Sequence, residues 1–166
     1  MSDPVVFMGV AGCGKSTVAA AVAQALGLRL VEGDDFHSAS NRRKMSQGIA
    51  LTDEDRDAWL TTLSQELRNS PRPMVLTCSA LKRKYRDRLR QAAPGLRFVF
   101  LELSQQAAQA RVSARSAHFF SADLVHSQFA ALESPVGEAH VLCVDATKQL
   151  GALTPQVIDW LETSHA

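Results

Sequence analysis

The stretch "GVAGCGKST", Gly9 to Thr17, follows directly on the apolar run "PVVFMG", Pro4 to Gly9, and decides how the rest of the chain is read. Gly9, Gly14, Lys15 and Ser16 fill every defined position of the pattern G-x-x-x-x-G-K-[ST]. A loop of this kind between a buried strand and a helix suits phosphate. Its glycines let backbone N–H groups wrap anionic oxygens, and the helix that follows adds its positive N-terminus. Gly9, Ala11, Gly12, Cys13, Gly14 and Thr17 are therefore read as the nucleotide cradle, Lys15 as the cation for the β/γ-phosphates, and Ser16 as a ligand for Mg²⁺.

Outward from this loop, apolar and β-branched segments recur: "LRLVE" (Leu28 to Glu32), "PMVLTC" (Pro73 to Cys78), "RFVFLEL" (Arg97 to Leu103) and "HVLCVD" (His140 to Asp145). They are continuous rather than alternating, as strands buried on both faces are. Helical patterns separate them, such as Val18, Val22 and Leu26 closed by Gly27, or Leu60, Leu63 and Leu67 led by "TDEDR". A last helix is expected to open at Thr154 as cap and Pro155 at its first position. This order predicts a parallel sheet covered by helices on both faces. At 166 residues with 46% hydrophobic content, one domain spanning 1–166 is expected. Eighteen basic against seventeen acidic side chains give no global field for nucleic acid or an anionic membrane. The three cysteines are odd in number and far apart, against a disulfide framework or metal cage. The uncharged run Ser16 to Leu28 is too short and polar to span a bilayer, and no secretory signal pattern is read before it, so a cytoplasmic setting is expected.

A phosphate cradle does not name a reaction. No D-x-x-G occurs, and "TKQL" (Thr147 to Leu150) lacks the aspartate of a guanine-reading motif, which argues against a GTPase. The third strand ends "LTCSALK" without the acid that holds magnesium in motor-type ATPases, so the carboxylate must come from elsewhere. "VEGDDFHSASNRRKM", Val31 to Met45, offers it: Asp34 and Asp35 close the second strand at the sheet edge where ligands bind. Asp34 is assigned to the metal and to the reacting phosphoryl group. A helix through the following residues puts His37, Asn41 and Lys44 on one face, suited to an anionic, hydroxyl-rich ligand; a solvated, charge-paired helix edge is the alternative. After the third strand, Ser79 and Lys82 are the substrate candidates of a basic helix whose other charges are read as solvated. Arg111 and Arg115 share a helical face and lead into "SAHFFS", read as a small lid at about 111–122 that neutralises charge on the transferring group.

Together, "GVAGCGKS", "GDDFH…N..KM..G..L.D.DR..WL", "CSALK..YRD.LR" and "R...R..HFF...L..SQF..LE.P" resemble the thermoresistant-type gluconokinases in similar order from Gly9 to Pro135. The resemblance implies a three-layer α/β/α P-loop kinase fold like that of adenylate and shikimate kinases, with a five-stranded parallel sheet in order 2-3-1-4-5. It implies transfer of the ATP γ-phosphoryl group, with Mg²⁺, to the 6-hydroxyl of D-gluconate, by a cytosolic homodimer with no nucleic-acid or membrane partner. A substrate segment at about 34–70 would then supply Asp34, His37, Asn41, and Lys44 or Arg56 for the carboxylate, with Ser79, Lys82 and His118 completing the set. A kinase for another small acceptor, or a nucleotide-binding regulator without kinase activity, are the alternatives. Two departures stand out: Ser38 where the family commonly has proline, expected to loosen the start of the substrate helix, and a single acid in "SPVGEAH" (Ser134 to His140), expected to concern a surface far from the chemistry.

Overall fold

A computed structural model describes residues 3–114 and 122–163. Its five strands, β1 (Val5–Met8), β2 (Arg29–Glu32), β3 (Met74–Thr77), β4 (Arg97–Glu102) and β5 (Val141–Asp145), form one parallel sheet in the order β2-β3-β1-β4-β5. Among the described residues the helices are α1 (Lys15–Leu26), α2 (Ala39–Ser46), α3 (Asp53–Asn69), α4 (Arg83–Ala92), α5 (Gln105–Ala114), α6 (Ala122–Ala131) and α7 (Leu150–Thr163).

The unbroken apolar strands follow from a sheet with two covered faces. Val5 and Phe7 of β1 turn into one core with Val18 and Val22 of α1, Ala108 of α5, Val125 of α6 and Val157 of α7. Val6 and Met8 turn into the other, with Leu60 and Leu63 of α3 and Tyr85 and Leu89 of α4. The chain leaves β1 for β2 and β3 on one side, then returns past it to β4 and β5. That reversal puts the β1 loop in the crevice beyond the strands' carboxyl ends.

Local chemistry sets the helix ends. Thr52 caps α3 in a reciprocal capping box with Asp55, and Gly27 closes α1 at φ 65°. Two sequence expectations shift. α7 begins a full turn earlier than Thr154, at Leu150, because burying Leu153 extends the apolar stripe of Val157 and Leu161; Pro155 is thus inside the helix. α2 does not continue back through His37. A short 3-10 turn, Gly33–Phe36, leaves His37 extended at φ −67°, ψ 141°, and Ser38 starts the helix by accepting the Asn41 N–H at 3.0 Å. Ser38 therefore secures the helix start rather than loosening it.

The basic α4 departs from a solvated face. Arg86 is 0% exposed and donates to the Ala80, Leu81 and Glu133 carbonyls and to the Glu138 carboxylate, the last at 2.6 Å. Arg90 reaches the same carboxylate at 2.7 Å. The lone acid of the 134–140 segment is thus a core group, not a remote surface one. It neutralises the arginine that holds the turn at Ala80, whose φ of 47° is unusual for a residue with a side chain. Burial pushes the Glu138 carboxyl up, but hydrogen bonds from Arg86 and Arg90 outweigh it and keep its pKa below the ordinary value. Replacing Glu138→Ala leaves Arg86 without its counter-charge in the core. Urea unfolding is expected to show a loss of about 3 kcal/mol; a loss below about 1 kcal/mol would mean that the three carbonyls alone carry the guanidinium.

Candidate active site

Gly14 is the N-cap of α1 at φ 87°, and no side chain caps the helix, which leaves its first-turn N–H groups to face a ligand. From the other side Arg111, in the last turn of α5, donates to the Gly12 carbonyl at 3.1 Å, the Cys13 carbonyl at 3.4 Å and the Ala146 carbonyl at 2.9 Å. In a trans peptide the N–H opposes the C=O, so drawing the Cys13 carbonyl outward turns the Gly14 N–H inward, while the Cys13 N–H is taken by the Val10 carbonyl at 3.2 Å. Cys13 contributes backbone alone, since its side chain is 1% exposed within the core.

The acid that touches Ser16 is Glu32, not Asp34. Glu32 Oε2 accepts from Ser16 Oγ at 2.9 Å and from Thr77 Oγ1 at 2.6 Å, while Thr77 Oγ1 accepts the Gly33 N–H at 3.2 Å. Gly33 is obligatory there: a Cβ would lie 2.1 Å from the Thr77 carbonyl oxygen. Sequence reading passed over Glu32 for the paired aspartates, although its place as the last residue of β2, before the glycine turn, was the available signal.

Asp34 and Lys15 line one cavity of about 210 Å³, together with Ser16, His37, Arg56 and Ser79. Met45, Leu51 and Leu124 form a separate apolar cluster on its wall, joining the α2 side to α6. His37 is 4% exposed at its side chain and stacks on Trp59 with ring centroids 4.2 Å apart; the Trp59 indole N–H in turn donates to the Gly33 carbonyl at 2.8 Å. Its Nε2 lies 3.7 Å from Asp34 Oδ1. Asn41 Nδ2 donates to the Asp55 carbonyl at 2.9 Å and sits 3.3 Å from His37 Nδ1. As that amide nitrogen is a donor, Nδ1 must accept and Nε2 carries the proton, directed at Asp34. Burial pushes the His37 pKa down to about 4; Asp34 opposes the shift, and Arg42 and Arg56 add to it.

The expected cations separate. Arg56 lines the cavity, held by its bond to the Tyr85 hydroxyl at 3.2 Å. Lys44 is taken up by both Asp55 oxygens at 2.9 Å, and Lys82 by Asp53 at 3.0 Å, where Lys84 and the Tyr85 hydroxyl also bond. Neither lysine lines the cavity, and nor does Asn41, which acts through His37. Hydrogen bonds from Lys84, Tyr85 and Lys82 hold the Asp53 carboxyl well below the usual range, and the Thr52 backbone and Lys44 hold Asp55 at about 2. Both acids are spoken for by charge pairing that the sequence, 11 to 32 residues apart, did not announce. Arg115 and His118 lie outside the described residues.

Residues 5–136 match the model of a family described as AAA domain. The thermosensitive gluconokinase of Escherichia coli is 39% identical over 155 residues, 91% of this chain and 83% of that protein. The thermoresistant gluconokinase of the same organism is 37% identical over 158 residues, 93% of this chain and 90% of that one. The crystal structure of a gluconokinase from Sinorhizobium meliloti superposes with a TM-score of 0.90 at 43% identity, covering 97% of this chain and 92% of the other.

Burial of neutral His37 has a pH signature. Its folded pKa of about 4 lies below the ordinary 6.5, so between those values the unfolded chain binds more protons. Thermal unfolding is expected to show stability falling as pH drops from about 6.5 to about 4, before the Asp55 contribution fades at lower pH. His37→Gln should flatten the profile over that interval; an unchanged slope would place the titration elsewhere.

Proposed function

Because the chain belongs to the gluconokinase family, we propose that it transfers the γ-phosphoryl group of ATP to the 6-hydroxyl of D-gluconate, giving 6-phospho-D-gluconate and ADP. The observation that carries this reading is the shared cavity, in which a phosphate-binding loop and an acidic strand end meet. The loop amides and Lys15 take the β- and γ-phosphates, as in other P-loop enzymes. Ser16 donates its proton to Glu32 and so keeps oxygen lone pairs for a hard cation, a fit for Mg²⁺ with the Glu32 carboxylate behind it. When bound, that ion neutralises charge on the phosphates.

The acceptor hydroxyl oxygen attacks the γ-phosphorus, the bond to the β,γ-bridging oxygen breaks, and ADP leaves. Asp34 orients that hydroxyl and takes its proton, with the neutral His37 Nε2–H 3.7 Å from its carboxylate. Arg56 is the partner for the acceptor's carboxylate, in preference to Lys44, whose charge is already matched by Asp55. Ser79 supplies a hydroxyl at the same edge, and Asn41, Lys44 and Lys82 support the walls. Arg111 shapes the cradle; Arg115 and His118, outside the described residues, keep only the roles that the family resemblance implies. A cytosolic homodimer belongs to the same family reading, and no described helix is long and apolar enough to cross a membrane.

Coupled ADP-release assays should show turnover that depends on gluconate. Asp34→Asn should lower kcat by roughly 10²- to 10⁴-fold with ATP affinity within about twofold of wild type. A variant of undiminished kcat would remove Asp34 from the proton's path.

A further inference from the structure

Gln128 is the one amide side chain among the described residues lining the cavity, and the reaction outlined above does not use it. It projects from α6, is 9% exposed, and its Oε1 accepts the Ala11 backbone N–H at 2.6 Å across 117 residues of chain. A backbone N–H only donates, so the amide is fixed with its oxygen on the loop. Its Nε2 is then the end left for the cavity, carrying two donors.

We infer that Gln128 is a specificity-determining residue for the acceptor: anchored on Ala11 by its oxygen, it presents Nε2 to a hydroxyl or carboxylate oxygen of the sugar acid. The charges around it favour a neutral donor at this position. Lys15 and Arg56 already supply cations to the same space, and a third would draw triphosphate into the acceptor's place. An amide reads an oxygen through geometry without adding field, and the Ala11 bond sets its register to the phosphate loop. This inference rests on the gluconate reading above.

Two variants separate the donor from the anchor. Gln128→Glu keeps an oxygen for the Ala11 N–H but, when ionised, donates nothing; Gln128→Met keeps the length without charge or donor. In wild type and both variants, KM for gluconate, KM for ATP and the melting temperature are measured. Loss of the donor is expected to raise the gluconate KM roughly five- to hundredfold in both variants, with the ATP KM of Gln128→Glu within about threefold because its Ala11 contact survives. A gluconate KM within twofold of wild type in Gln128→Met overturns the inference, including the case in which Gln128→Glu alone is impaired, since that would be charge repulsion. Loss of ATP affinity and of melting temperature with an unchanged gluconate KM would reduce Gln128 to a structural tie and also overturn it. A wild type with no gluconate-dependent ADP release overturns the functional reading and this inference together, whereas an active wild type with unaltered variants overturns this one alone.

Discussion

A single oxygen, Oε2 of Glu32, accepts hydroxyl protons from Ser16 at the head of α1 and from Thr77 at the end of β3. That pairing joins the phosphate loop to two neighbouring strand ends, and the rest of the site depends on it. With Gly33 pressed against the Thr77 carbonyl, the chain must turn immediately after Glu32, and the turn delivers Asp34 to the cavity that Lys15 enters. Moving the glycine by one residue or adding a Cβ would part the two halves.

Charge pairing sorts the remaining polar groups into walls and working surfaces. Asp53 gathers Lys82, Lys84 and Tyr85, Asp55 takes Lys44, and Glu138 takes Arg86 and Arg90. Each pair satisfies groups that would otherwise compete for an anionic ligand. Among the described residues, Lys15 and Arg56 are the cations that line the cavity. The buried Arg86 network illustrates how packing reaches the chemistry: it holds the Ala80 turn, and that turn presents Ser79 to the cavity from the end of β3.

Much of this was legible in the sequence, for reasons that can be stated. The strands and their parallel order followed from continuous apolar runs separated by helical periods, and the family resemblance supplied the order. The Thr52 cap, the Gly27 stop and the phosphate loop are local signals, written within a few residues of where they act. What escaped was pairing over distance. Glu32 meets Thr77 across 45 residues, Arg86 meets Glu138 across 52 and Gln128 meets Ala11 across 117, and no local pattern encodes such contacts. His37 was displaced from the helix by one competing local rule, the capping preference of Ser38, and α7 lengthened because burial of Leu153 outweighed the cap-and-proline signal at Thr154 and Pro155.

The claim that one cavity brings both reactants together is tested most directly by a crystal structure of the protein with a non-hydrolysable ATP analogue and D-gluconate. The γ-phosphoryl group is expected on Lys15 and the gluconate 6-hydroxyl beside Asp34, its oxygen roughly 3 to 3.5 Å from the γ-phosphorus and in line for displacement. Gluconate bound against Lys44 or Lys82, with Asp34 turned away from the γ-phosphate, would contradict it.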